Sequence, residues 1–155
     1  MTKLGFTFPY RVKPGARKLP KKIKENLLNY PLIPIRFYYK NKRTPIIEAL
    51  LDSGADGIYI NRAMADFLGL PQIKKIESGG MGGKYKCYET KVGLIIGRAG
   101  RVVDFGIVKA IFPENDLDVP FLIGRKPVFE EYQVIFEDYR QRFKLIPKEI
   151  ALKKK

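Results

Sequence analysis

Apolar and polar positions along this chain change rhythm often and seldom keep one for long. "PLIPIRFYYK" (31–40) and "PIIEALLD" (45–52) are short runs rich in β-branched and aromatic residues, separated by the polar "NKRT", and they read as two strands paired as a hairpin. Pro45 opens the second run, where a missing N–H does little harm. "GIYI" (57–60) is another short apolar run. In "NRAMADFLGL" (61–70) the rhythm turns helical: Asn61 can cap, Met64, Phe67 and Leu68 fall at helical spacing, and Gly69 can stop the turn. Beyond it, "PQIKKIESGGMGGKYKCYETKVGLIIG", "RVVDFGIVKAI", "PFLIGR" and "YQVIFEDYRQRFKLIP" read mostly as short strands, with "FPENDLDV" as a loop. Many short strands and little helix predict an all-β fold, a small closed or nearly closed barrel. Two runs, "IIEALLDSG" and "VPFLIGR", both end at a glycine, a faint echo of an internal duplication.

Length and charge divide the chain further. With 155 residues, 45% of them apolar, it has enough material for one ordinary core and too little for two. No apolar run approaches the length of a bilayer span, and the amino-terminal segment has charge but no apolar stretch with a cleavage site. A soluble, cytoplasmic protein without membrane association is expected. Thirty basic against sixteen acidic residues give a net charge of +14, much of it at the ends: no acid lies between Lys3 and Lys24, and the chain closes with "ALKKK". The expected division is a basic arm at 1–30, a folded domain at 31–147 and a basic tail at 148–155. Such ends read as solvated, mobile tails, with nucleic acid or an acidic partner as the other possibility.

The chemistry is narrowed by what is missing. Histidine is absent and Cys87 is the one cysteine, which excludes Ser-His-Asp and Cys-His catalysis, disulfides and the common zinc sites. Cys87 itself reads as a small, partly buried apolar residue. Asp52 then stands out, because it ends an apolar strand and precedes Ser53 and Gly54. An unpaired carboxylate is costly to bury, so Asp52 is either solvated at a turn or held there for chemistry. The isolated acids Asp104, Asp116 and Asp118 read as turn or surface residues.

The stretch Asp52-Ser53-Gly54-Ala55 resembles the Asp-(Ser/Thr)-Gly-Ala motif of the retroviral-type aspartic proteases, the retropepsins. Context agrees in order and spacing. An apolar strand leads into the motif, "GIYI" and "NRAMADFLGL" follow it, "GGMGG" (79–83) lies where that family carries a flap hairpin, and "FLIGR" resembles the segment that crosses behind the active-site loop. "KPVFEEYQVIFEDYRQRFKLIP" is similar to the family's helix, strand, turn and last strand, so the likeness covers about Pro31 to Pro147. It implies a retropepsin-type barrel with one short helix after the active-site strand and one near the C-terminus. It also implies Asp52 as the catalytic carboxylate, Ser53 and Gly54 as its supports, and Ala55, Asp56, Gly80, Met81 and Gly82 as substrate contacts. Gly57 and Lys126 depart from the pattern, standing where a second acid and an acid or amide are usual. Arg125 is expected in a structural role, as a salt bridge or a dimer contact.

Two carboxylates sharing one proton can hydrolyse a peptide without metal, histidine or cofactor, one drawing a proton from water while the other protonates the carbonyl oxygen. One Asp cannot do this, and the chain carries a single Asp-Ser-Gly. The expectation is therefore a homodimer with one Asp52 from each chain, acting on a polypeptide under a glycine-rich flap. The alternative is a dimeric binding module of the same fold with little or no activity, its basic tails taking nucleic acid or an acidic partner. The arm could also be a removable pro-segment.

Overall fold

A computed structural model describes residues 4–80, 83–116 and 120–153. Its strands are β1 (Phe6–Pro9), β2 (Leu32–Tyr39), β3 (Lys42–Arg43), β4 (Ile47–Leu51), β5 (Ile58–Tyr59), β6 (Lys74–Gly80), β7 (Gly83–Arg98), β8 (Arg101–Pro113), β9 (Leu122–Ile123), β10 (Tyr132–Glu137) and β11 (Arg142–Pro147). Helical structure is brief: α1 (Lys21–Lys24), α2 (Arg62–Leu68), α3 (Lys148–Lys153) and a wide turn at Arg125–Phe129. Among the described residues no helix is long and apolar enough to cross a membrane.

The expected β2–β4 hairpin forms, with Leu32 opposite Leu50 and Ile35 opposite Ile47. The other end of β2 pairs with β7, Ile35 to Tyr38 facing Ile96 to Gly93, and this second pairing closes the sheet. Around the barrel the order is β2, β4, β9, β5, β8, β7 and back to β2, so six strands leave no free edge in the ring. Alternate residues point inward. Ile33, Ile35 and Phe37 of β2, Ala49 and Leu51 of β4, and Val92, Leu94 and Ile96 of β7 are buried in one core. Each large apolar side chain buried there contributes about 2 kcal/mol.

α2 is built as its sequence suggests. Asn61 Oδ1 accepts from the Met64 N–H at 2.8 Å, and Gly69 ends the helix at φ 68°, a backbone state that glycine adopts without strain. Ala65 and Leu68 face the core, but Phe67 lies 54% exposed with the Lys42 ammonium over its ring. The expected apolar stripe is thus narrower than Met64, Phe67 and Leu68, since so short a helix presents one face only.

Three further expectations differ from the fold. β7 and β8 are long, sixteen and thirteen residues, because β7 serves β6, β8 and β2 in succession. Cys87 is fully rather than partly buried, and burial pushes its thiol pKa up. The basic ends are not free tails over their described lengths. β1 pairs antiparallel with β11, which also pairs with β10, in a three-stranded sheet. Phe6 joins the core, stacks on Phe8 and neighbours Tyr132, so the arm contributes aromatic surface that its charge concealed. Arg11 and Tyr30 exchange backbone hydrogen bonds of 3.0 and 2.8 Å, drawing residues 12–29 into a closed loop. At the other end, residues 148–153 form α3.

Candidate active site

β4 delivers Asp52 to a turn. The Asp52 N–H donates to the Ile123 carbonyl at 3.0 Å, the Ala55 N–H donates to the Asp52 carbonyl at 3.2 Å, and the Gly54 N–H donates to Asp52 Oδ1 at 2.8 Å. The carboxylate is thus partly exposed and oriented by a backbone dipole, which resolves why an acid can end an apolar strand. A Cβ on Gly54 would lie 3.2 Å from Asp52 Oδ1, so a larger residue would crowd the oxygen that the N–H holds. Ser53, Gly54 and Asp56 are exposed, whereas Ala55 is buried and anchors the loop.

The segment around "FLIGR" locks this loop from behind. β9 runs parallel to β4, with Leu50 beside Leu122 and Leu51 beside Ile123, so the two runs that echo each other in sequence lie side by side. Backbone bonds of 2.9 Å join the Gly124 N–H to the Gly57 carbonyl, the Arg125 N–H to that of Ala55, and the Lys126 N–H to that of Asp56. Gly124 has no room for a side chain: a Cβ would fall 2.5 Å from the Gly57 carbonyl oxygen and closer still to that of Ala55. Arg125 pairs with the Asp56 carboxylate, one of the two structural roles expected of it. Both partners are largely exposed, so the pair contributes at most about 1 kcal/mol and the backbone bonds do most of the holding. Gly57 is not sterically required, since a Cβ there would meet only the Lys126 carbonyl oxygen at 3.8 Å. Lys126 reaches Glu130 at 3.8 Å on the following turn.

The glycine-rich segment is a β-hairpin. β6 and β7 pair from Lys74 opposite Glu89 to Gly80 opposite Gly83, so a two-residue connection joins them. Gly83 adopts φ 101°, a conformation that favours glycine. Met81 and Gly82 lie outside the described residues. A groove of about 640 Å³ brings the hairpin's Ile76 together with Asp56 and Gly57 of the loop, and Tyr59, Ile107 and Pro127 make its walls largely apolar. The groove therefore joins the base of the hairpin to the Asp56–Gly57 end of the loop and to Lys126 and Pro127, just after the crossing segment. Of the isolated acids, Asp104 is exposed and accepts from the Tyr38 hydroxyl at 2.8 Å, Asp116 is exposed, and Asp118 lies outside the described residues.

One carboxylate escaped the sequence reading. Glu48 of β4 gathers Arg11 at 2.8 Å, Arg17 through a two-pronged contact, and Arg98 at 3.8 Å. The Glu48 side chain is only 8% exposed, so it ties the arm's arginines to the strand that ends at Asp52. The available signal was an acid inside an apolar run, four residues before Asp52 and, by the strand's period of two, on the same face. Among the described residues no three potential metal ligands cluster.

No family model matches the chain, and no curated protein does. Among solved structures the chain is similar to a retropepsin-like aspartic protease from Rickettsia conorii, at 15% identity, with 94% of each chain covered and a TM-score of 0.54. At that identity the likeness is one of fold, and it identifies the barrel carrying Asp52 as retropepsin-like in architecture.

Proposed function

We propose that this protein is an aspartic endopeptidase whose active form is a homodimer, each protomer contributing one Asp52. The observation that carries this reading is the Asp52 turn itself. A partly exposed carboxylate, oriented by the Gly54 N–H and backed by the Gly124–Arg125 segment, sits in a barrel of retropepsin-like architecture. Two such carboxylates about 3 Å apart cannot both ionise easily and would share one proton. The ionised member takes a proton from water as the oxygen attacks the peptide carbonyl, and the protonated member gives its proton to the carbonyl oxygen. When the tetrahedral intermediate collapses, the C–N bond breaks and the amine leaves with a proton returned from the dyad. Ser53 would brace the two loops across the dimer. Ala55, Asp56, Gly80, Met81 and Gly82 would contact a substrate bound as an extended strand beneath the β6–β7 hairpin, which acts as the flap.

The binding-module reading loses ground on one point. Arg11 and Arg17, two of the eight cations in the arm, are engaged by Glu48 rather than free for a polyanion. The test is cleavage of a mixed peptide library from acid to neutral pH by wild type and Asp52→Asn, with products read by mass spectrometry. Cuts made by the wild type and lost in a folded Asp52→Asn protein are expected. Undiminished cutting by that variant would overturn the mechanism.

A further inference from the structure

Outside the groove beneath the hairpin there is a second open groove of about 700 Å³, built mostly by the barrel and closed on one side by the arm. Its floor is apolar, made by Leu32, Ile47 and Leu50 with Phe121 and Pro120, and its wall is Lys13, Pro14 and Arg17 from the closed loop. Side chains two apart on a strand share a face, so Glu48, Leu50 and Asp52 project to the same side of the β4 segment. The floor therefore begins one strand repeat, about 6.6 Å, from Asp52.

Three charged residues line this groove: Lys13, Arg17 and Glu48. Arg17 is held by Glu48 through their two-pronged contact, and Glu48 is shared with Arg11 and Arg98. Lys13 is different. Its ammonium rests 5.3 Å from the centre of the Tyr30 ring, and among the described residues it makes no ion pair. The groove thus offers a cation without an ion pair, beside an apolar floor and next to an arginine cluster that its single carboxylate only partly offsets, on the face that leads to the Asp52 carboxylate.

We propose that this groove is a subsite for an acidic side chain of the polypeptide substrate, and that Lys13 is the specificity-determining residue that selects it. The inference rests on the protease reading and adds a substrate class to it. An extended peptide also repeats its side-chain direction every second residue, so the preferred Asp or Glu stands two or four positions from the bond cut. The apolar floor takes the methylene carbons of that side chain, and the carboxylate meets the ammonium over Tyr30. The arm then has a purpose beyond packing, because Glu48 fixes the loop that presents Lys13.

Two matched peptides that differ only by Glu or Gln at the favoured position test the idea. With wild type the Glu peptide is cut faster. In Lys13→Gln the Glu-to-Gln ratio of kcat/KM falls about five-fold, the size of one exposed ion pair, and in Lys13→Glu it falls further. The same peptides are titrated without cleavage against Asp52→Asn protein, where tighter binding of the Glu peptide should depend on Lys13 and weaken with salt. Cuts without an acidic preference, or a ratio indifferent to Lys13, overturn the subsite and leave the protease standing. Binding preference without any cutting by the wild type sustains the subsite and overturns the protease. Neither cutting nor preference overturns both.

Discussion

At the scale of single residues, the candidate site is a matter of what a carboxylate and two glycines permit. Asp52, Ser53, Gly54 and Ala55 were legible because they are contiguous, and a four-residue turn carries its geometry with it. Gly124 was recognisable only by resemblance, and the reason for it lies elsewhere in the chain: the carbonyls of Ala55 and Gly57 occupy the space a side chain would need. Gly124→Ala is accordingly expected to destabilise the fold by about 1–3 kcal/mol, the usual cost of overpacking a tight contact. Urea denaturation monitored by tyrosine fluorescence measures it, and a midpoint equal to wild type would show that the crossing segment can move aside. Glu48 and Lys13 were not legible as partners of anything, because the residues that give them meaning are distant in sequence.

At the scale of elements, short-range signals served well where the determinants are local. Asn61 and Gly69 bound α2 because cap and stop act within a turn. The lengths of β7 and β8 escaped the reading, since a strand lasts as long as it finds partners, and β7 finds three. The β10–β11 hairpin adds an electrostatic device that its sequence did not announce. Glu137 Oε1 accepts from Arg142 Nε at 2.8 Å, with Lys144 at 3.3 Å, and the Tyr139 hydroxyl reaches the other oxygen at 3.1 Å. The Arg142 hydrogen bond, aided by those from Tyr139 and Lys144, holds the Glu137 carboxyl at about 2, below its ordinary 4.5. The folded state therefore prefers Glu137 ionised. Its contribution is present above pH 4.5 and is lost as pH falls toward about 2. Denaturation midpoints followed down that range should fall more steeply for wild type than for Glu137→Gln. Parallel slopes would show that the cluster exchanges freely with water.

At the scale of the whole molecule, the proposed reaction needs two chains, and this has a consequence that no single-chain enzyme shows. Mixing wild type with an excess of Asp52→Asn protein and allowing exchange should depress activity well below the same dilution in buffer, because mixed dimers hold one carboxylate too few. Equal activities in the two mixtures would mean that each chain works alone. The net charge of +14 is likewise a property of the whole, and the fold redistributes its meaning: a basic arm becomes an edge strand, two aromatic anchors and a loop tied to Glu48. By itself the sequence determined the all-β class, the first hairpin, the capped helix and the Asp52 turn, since alternation, capping and turn chemistry are local and repeat at fixed spacing. Tertiary structure alone decided how β2 meets β7 to close the barrel, where β1 docks, which cations Glu48 neutralises, and which groove Lys13 borders. Those outcomes depend on pairings across tens of residues, whose partners are chosen by burial and charge in three dimensions and leave no periodic trace along the chain.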